Sequence, residues 1–168
     1  MTEFIEKHSI KILLVVCVAI FISNLDVIYV NIMEARNFVT AREMLYKGNW
    51  LLTTMNDFPR YEKPPLPTWL TAISASLIGV HNLFALRLPA ALSAIILVFF
   101  LYKIAVLLFN NKKLSFYASL ILATSFYIIF SGRNGQWDIF THSFMVISIY
   151  HLIKICLLYT SPSPRDGL

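Results

Sequence analysis

The charged residues of this chain are concentrated in one stretch, residues 34–67, which lies between long apolar segments. Four carboxylates and five basic residues occupy it: Glu34, Glu43, Asp57, Glu62, Arg36, Arg42, Lys47, Arg60 and Lys63. A carboxylate can take a proton from a nucleophile, and ammonium or guanidinium groups can stabilise an anion. We therefore expect the chemistry of this protein to take place in or beside this stretch.

The overall composition indicates a membrane protein. The chain is 58% hydrophobic and only 14% charged, which is far more apolar than an ordinary soluble domain. Its net charge is +5, but the basic residues are scattered, so a nucleic-acid partner is not expected. Cys17 and Cys156 both lie in apolar runs and provide no framework for a disulfide or a metal.

The apolar runs predict an all-α polytopic membrane protein with about four transmembrane helices. A helix that rises ~1.5 Å per residue needs about 20 residues to cross the hydrocarbon core. Lys7 and Lys11 precede the first run and indicate a cytoplasmic N-terminus, and no small-residue cleavage site follows it. The predicted spans are residues 10–30, 86–109, 114–131 and 139–158.

The outer loop, residues 31–85, is predicted to carry two juxtamembrane helices. Residues 31–47 are amphipathic and end at Gly48, whereas residues 68–80 form a shorter apolar helix. If this second helix does not cross the bilayer, Lys112 and Lys113 face the cytoplasm, as basic residues prefer. Asp138 then lies on the same outer side as the charged stretch.

The end of the chain differs in composition from the rest. Residues 159–168 replace a hydrophobic run with a Pro- and Ser-containing tail. We interpret residues 1–155 as the N-terminal part of a larger membrane domain and residues 156–168 as a non-native or truncation tail.

Several short motifs, in order along the chain, resemble a known family. They are Glu34-Ala-Arg, Ala41-Arg-Glu-Met-Leu, Gly48-Asn-Trp, Tyr61-Glu-Lys-Pro-Pro, Trp69-Leu-Thr-Ala, Phe84-Ala-Leu-Arg-Leu-Pro and Leu122-Ala-Thr-Ser. Over residues 26–155 the chain resembles the GT-C type membrane glycosyltransferases that use polyprenyl-phosphate sugars. That family includes aminoarabinose transferases of lipid A and dolichyl-phosphate-mannose protein mannosyltransferases. Its members are several times longer, so the resemblance implies an N-terminal fragment that is inactive alone.

The resemblance also implies a reaction. A sugar would pass, with inversion, from a polyprenyl-phosphate donor to a lipid, protein or glycan acceptor at the extracytoplasmic face of a bacterial inner membrane. The first loop of the family carries an adjacent Asp-Glu pair, and Met33 and Glu34 occupy these two positions here. No cofactor is required by the pattern, although a divalent metal ion is compatible with it.

The candidate site residues follow from these roles. Glu34 and Asp138 are the candidate catalytic carboxylates, although a helix-start acid and a helix N-cap are alternative roles for them. Glu62 is a candidate metal ligand. The candidate ligands of the donor phosphate are Lys63, Arg60, Arg36 and Arg133.

Two other classes of function remain open from the sequence. A transporter subunit should bury ionisable residues near the middle of the bilayer, whereas the charges here lie mainly in loops and at helix ends. A non-catalytic membrane scaffold would need none of the candidate site residues.

Overall fold

The computed structural model describes residues 2–159, with side chains described for residues 7–157 and 159. The described chain is helical apart from one short hairpin, which agrees with the predicted all-α class. The helices are α1 (Thr2–Phe21), α2 (Ile32–Lys47), α3 (Leu66–Ile78), α4 (Leu83–Phe109), α5 (Lys112–Thr124), α6 (Phe126–Arg133) and α7 (Asp138–Tyr159), and the hairpin strands are β1 (Thr54–Met55) and β2 (Phe58–Pro59).

The first helix ends earlier than predicted. The predicted span covered residues 10–30, but α1 ends at Phe21 and residues 22–28 form turns and bends. Asn24 adopts a left-handed conformation with φ of 51°, which asparagine tolerates better than most residues. The Arg133 side chain donates hydrogen bonds to the carbonyl oxygens of Ile20 (2.5 Å) and Asn24 (3.0 Å). The first bond satisfies one of the carbonyl oxygens that the end of a helix leaves unpaired, and the second ties Arg133 to the turn that follows.

The predicted third span is broken. Residues 114–131 fall in α5 and α6, whose axes differ by 62° at a break around Ser125. Ser125 has extended backbone angles, and its hydroxyl donates to the Leu122 carbonyl oxygen at 2.8 Å. A serine hydroxyl competes in this way for backbone groups that would otherwise continue the helix.

Fewer of the described helices meet the length and composition of a membrane span than the four predicted. Leu83–Phe109 and Asp138–Leu157 do so individually, and the bent pair α5–α6 does so if it counts as one span. Four charged residues among the first ten of α1 explain why this helix is not among them.

The two outer-loop helices form close to their predicted positions, as α2 and α3. Asn31 and Glu34 make a capping box at the start of α2, and Gly48, with φ of 73°, ends it. The hairpin between the two helices was not predicted. Its turn residues Asn56 and Asp57 both have positive φ, and Glu43 of α2 accepts a hydrogen bond from the Thr54 hydroxyl at 2.5 Å.

The core lies around α4, which packs against α1, α3, α5, α6 and α7. Gly132 of α6 packs tightly against this core. A Cβ atom there would lie 2.6 Å from the Cβ of Ala94 in α4 and 2.9 Å from a ring carbon of Phe21 in α1. The three helices can therefore meet only because residue 132 has no side chain.

Gly132→Ala should destabilise this helix junction. The added methyl group has no space, and overpacking of this kind typically costs about 1–3 kcal/mol. We expect a lower midpoint of thermal unfolding in detergent, with partial recovery when Ala94→Gly is added. An unchanged midpoint for Gly132→Ala would contradict the close packing of α6 on α4.

Candidate active site

A buried ion pair joins the charged stretch to the start of α4. The guanidinium of Arg87 donates to both carboxylate oxygens of Glu34, from Nε to Oε2 at 3.0 Å and from Nη2 to Oε1 at 2.7 Å. Both side chains have no exposed surface. This two-point geometry is the strong form of an arginine–carboxylate contact.

Backbone N–H and C=O groups make further hydrogen bonds to Glu34 and Arg87. Glu34 accepts hydrogen bonds from the N–H of Gly135 (3.1 Å) and of Asn31 (3.0 Å), while Arg87 Nη1 donates to the Leu25 carbonyl oxygen at 2.6 Å. A buried ion pair is tolerated when such bonds satisfy its remaining lone pairs and protons. The pair therefore fixes four segments to one another: the turn after α1, the start of α2, the second turn of α4 and the loop before α7.

Asn37, one turn after Glu34, holds the other side of that loop. Its side-chain amide donates to the Gly135 carbonyl oxygen at 2.8 Å and to the Thr71 hydroxyl at 3.2 Å. Its carbonyl oxygen accepts from the Thr68 hydroxyl at 2.8 Å. Glu34 thus binds the N–H of Gly135, and Asn37 binds its C=O. Residue 135 has no room for a side chain, because a Cβ atom there would lie 2.3 Å from the Phe38 ring.

The clamped loop sets the positions of Trp137 and Asp138. Trp137 is 6% exposed, and its ring lies beneath two cations, with 4.8 Å from the ring centre to Arg60 Cζ and 5.9 Å to Lys63 Nζ. Asp138 is exposed at the first position of α7. The structure therefore brings Arg60 and Lys63 together over a residue that is adjacent to Asp138 in the chain.

Arg60 differs from Arg87, the other buried arginine, because no carboxylate pairs with it in the described structure. Its Nη1 donates to the Arg36 carbonyl oxygen (2.9 Å) and the Thr40 hydroxyl (3.0 Å), and none of the described ion pairs includes it. Burial lowers the pKa of Arg60, Glu62 partly opposes this effect, and the nearby Arg36 lowers the pKa further.

A small cleft lies between these side chains, with a free volume of about 10 Å³, which is room for about one water molecule. Polar atoms and one aromatic ring make up most of its walls, which suits an anionic or hydroxylated ligand better than an apolar one. The lining residues are Thr40, Thr53, Arg60, Lys63, Pro65, Thr68 and Trp137.

The other predicted phosphate and metal ligands lie elsewhere or contribute differently. The side chain of Arg133 is used at the end of α1, and Arg36 offers its carbonyl oxygen to Arg60 while its side chain is exposed. Glu62 is exposed, and among the described residues there is no group of three His, Cys, Asp or Glu side chains that could hold a metal ion.

Glu34, the other predicted catalytic carboxylate, is completely buried and both of its oxygens are engaged. Three residues that organise the site were not predicted: Arg87, Asn37 and Trp137. The sequence signal for Arg87 is its charge at the start of the predicted span 86–109, in which Lys103 is the one other charged residue. A charge within a span is a functional or structural candidate by default.

The fold and the cleft define the class of protein: an all-α polytopic membrane protein with a polar cleft between its charged stretch and the loop before α7. Residues 62–161 match the model of the family described as dolichyl-phosphate-mannose-protein mannosyltransferase, and the chain belongs to this family. The predicted resemblance and fold class are thereby confirmed.

Curated relatives and one solved structure agree with this assignment. The chain is 34% identical over 105 residues to undecaprenyl phosphate-alpha-4-amino-4-deoxy-L-arabinose arabinosyl transferase 2 of Proteus mirabilis, covering 62% of this chain and 19% of the relative. The corresponding transferase of Shewanella sediminis is 34% identical over 110 residues, with coverage of 62% and 20%. The crystal structure of ArnT from Cupriavidus metallidurans in the apo state shares the fold, with a TM-score of 0.74, 21% identity, and coverage of 83% of this chain and 26% of that chain. The chain thus spans about a fifth of the length of the curated relatives it matches.

Glu34→Gln and Arg87→Met should each destabilise the fold strongly, because each leaves a buried charge without its partner. The expected loss is about 3–5 kcal/mol in the free energy of unfolding, measured by denaturant titration in mixed micelles. The double variant, which removes both charges, should regain much of that loss.

Glu43→Gln is the matched control for this comparison. It makes the same chemical change on the same helix, but the Glu43–Lys47 pair (3.4 Å) is partly exposed, so we expect a loss of at most about 1 kcal/mol. A Glu34→Gln variant as stable as Glu43→Gln would show that the buried pair does not hold the site together.

Proposed function

We propose that this chain forms part of a glycosyltransferase that moves a sugar from a polyprenyl-phosphate donor to an acceptor. The observation that carries the proposal is the cleft in which buried Arg60 and exposed Lys63 face the same aromatic ring without a carboxylate partner for Arg60. Such a cleft suits the phosphate of the donor. The printed names of the relatives, which are transferases acting with undecaprenyl phosphate, support this choice.

Each side chain would have a distinct role. Arg60 is the fixed cation, since two hydrogen bonds and the Trp137 ring hold it. Lys63 is exposed between Glu62 and Pro64, so its ammonium group can follow the charge that develops on the departing phosphate. The sugar need not bond to the protein, because the acceptor attacks opposite the phosphate and inverts the anomeric centre.

Asp138 is the carboxylate that we assign to the acceptor. It is exposed and follows Trp137 directly, whereas Glu34 is occupied by Arg87 and by backbone N–H groups. In this scheme an acceptor hydroxyl or amine forms the new bond to the sugar, its proton passes to Asp138, and the bond from the sugar to the phosphate oxygen breaks. Glu34 supports the site through the position of Gly135 instead of entering the reaction, and Glu62 remains the candidate ligand of a divalent ion.

We also propose that the cleft lies outside the cytoplasm of a bacterial inner membrane. Four crossings, by α1, α4, the bent pair α5–α6 and α7, would place Lys112 and Lys113 in the cytoplasm and both the outer loop and Asp138 outside. The described helices support two or three of these crossings by length and composition, and α1 is the one that this criterion leaves open.

Single-cysteine labelling should separate the two sides of the membrane. Cys17 and Cys156 are first replaced by serine, because Cys156 is exposed. A cysteine at position 57 should react with an impermeant maleimide in intact spheroplasts, whereas a cysteine at position 112 should react only after lysis. Reaction of position 112 from outside would overturn the proposed topology.

Lys63→Ala and Asp138→Asn should each abolish most sugar transfer in a full-length relative whose matching segment is replaced by this chain. Loss of a cation that stabilises the leaving phosphate typically costs about 2–4 kcal/mol, or roughly two to three orders of magnitude in rate. Lys63→Ala should weaken donor binding as well as turnover, whereas Asp138→Asn should lower turnover with donor binding retained.

Lys112→Ala serves as the control, because Lys112 is exposed at the start of α5. Transfer within about threefold of the parent chimera for Lys63→Ala would remove Lys63 from the site. Normal turnover of Asp138→Asn would remove Asp138 as the base.

A further inference from the structure

Two arginines of the described chain are almost completely buried, and their surroundings differ. Arg87 has no exposed surface and makes a two-point contact with the carboxylate of Glu34. Arg60 is 8% exposed, and the partners of its Nη1 are a carbonyl oxygen and a hydroxyl, which carry no negative charge. Glu62 acts on Arg60 electrostatically, but it is exposed and makes no ion pair with it. A buried cation in these surroundings is stabilised by a further anion at hydrogen-bond distance.

Trp137, which lies against Arg60, also has a polar group without a partner in the described structure. Its ring faces the guanidinium of Arg60, while its Nε1 is buried without a hydrogen-bond acceptor in the described structure. Trp69 shows the contrasting case, because its Nε1 donates to the Trp50 carbonyl oxygen at 2.7 Å. A buried indole N–H normally finds an acceptor.

The side chains of Arg60 and Trp137 line the same cleft, and one kind of ligand can supply a partner to each. The guanidinium needs a negative charge, and the indole N–H needs an acceptor atom. The hydroxyl of Thr40, one of the two acceptors of Arg60, already accepts from Nη1 and donates to the Arg36 carbonyl oxygen at 2.8 Å. A tetrahedral oxyanion would meet both needs, with one oxygen facing Arg60 and another accepting from the indole. The free space of the cleft is about the size of one water molecule, so the exposed Lys63 side chain must move aside to admit the ion.

We infer that Trp137 is a phosphate-binding residue, whose indole N–H donates to the anion that Arg60 binds and whose ring fixes the guanidinium. The ligand class is a phosphate ester, and the inference rests on the proposed function for the view that this ester is the lipid-linked donor. Trp137 therefore has two separable roles, one played by the face of the ring and the other by its N–H group.

The test uses the 168-residue chain, labelled with ¹⁵N at its three tryptophan indoles, in maltoside detergent that contains no phosphate. Farnesyl phosphate and inorganic phosphate are added in separate titrations. The Trp137 indole resonance should move in a saturable way, while that of Trp69 should stay in place because its N–H is already bonded. The unchanged Trp69 signal also reports that the chain stays folded.

Trp137→Phe keeps an aromatic face and removes only the N–H group. It should weaken farnesyl phosphate binding roughly tenfold or more, as expected for the loss of a hydrogen bond to a charged group. Trp69→Phe is the matched control and should leave the affinity unchanged. Arg60→Gln should abolish the movement of the Trp137 resonance.

The outcomes separate this inference from the proposed function. If farnesyl phosphate binds while the Trp137 resonance stays in place, or if Trp137→Phe binds it as tightly as the parent chain, the inference is wrong and the transferase proposal stands. If neither probe binds, the cleft is not a phosphate site and both proposals lose their basis. Farnesyl phosphate binding more tightly than inorganic phosphate supports the lipid-linked donor, whereas equal affinity contradicts that assignment.

Discussion

The buried pair of Glu34 and Arg87 is the interaction on which the rest of the site depends. Removing either partner would leave a charge in an apolar interior, which is among the most costly single changes that a fold can suffer. Through Gly135 the pair also fixes the loop that carries Trp137. The position of the cleft is thus a consequence of a charge contact that is not part of the cleft.

The two buried arginines have different roles: Arg87 stabilises the fold, whereas we assign Arg60 to ligand binding. Arg87 is satisfied within the described chain, so its contribution is complete before any ligand arrives. Arg60 is held in place by two neutral acceptors and makes none of the described ion pairs, so part of its interaction energy remains for a ligand. Preorganisation of this kind is what electrostatic stabilisation of a leaving phosphate requires, because the charge is already oriented when the reaction begins.

The sequence predicts the features of this fold that depend on local patterns, and it misses those that depend on distant partners. Helix α2 follows from its amphipathic period and from Gly48, and both are visible in a short window. The early end of α1 depends on Arg133, more than a hundred residues later, and the role of Trp137 depends on Arg60. No spacing rule connects such pairs, so the sequence indicates Arg60 and Lys63 as cations without revealing the Trp137 ring beneath them.

The distances along the chain between the partners of Glu34 impose an order on assembly. Arg87 is made 53 residues after Glu34, and Gly135 is made 101 residues after it. Protein synthesis adds roughly 5–20 residues per second, so Arg87 is made about 3–10 s after Glu34. During that time we expect α2 to stay in water, because a lone carboxylate is costly in an apolar environment. The cleft would then be the last part of this segment to form, because the Trp137 ring that lines it is made only when the ribosome has passed residue 137.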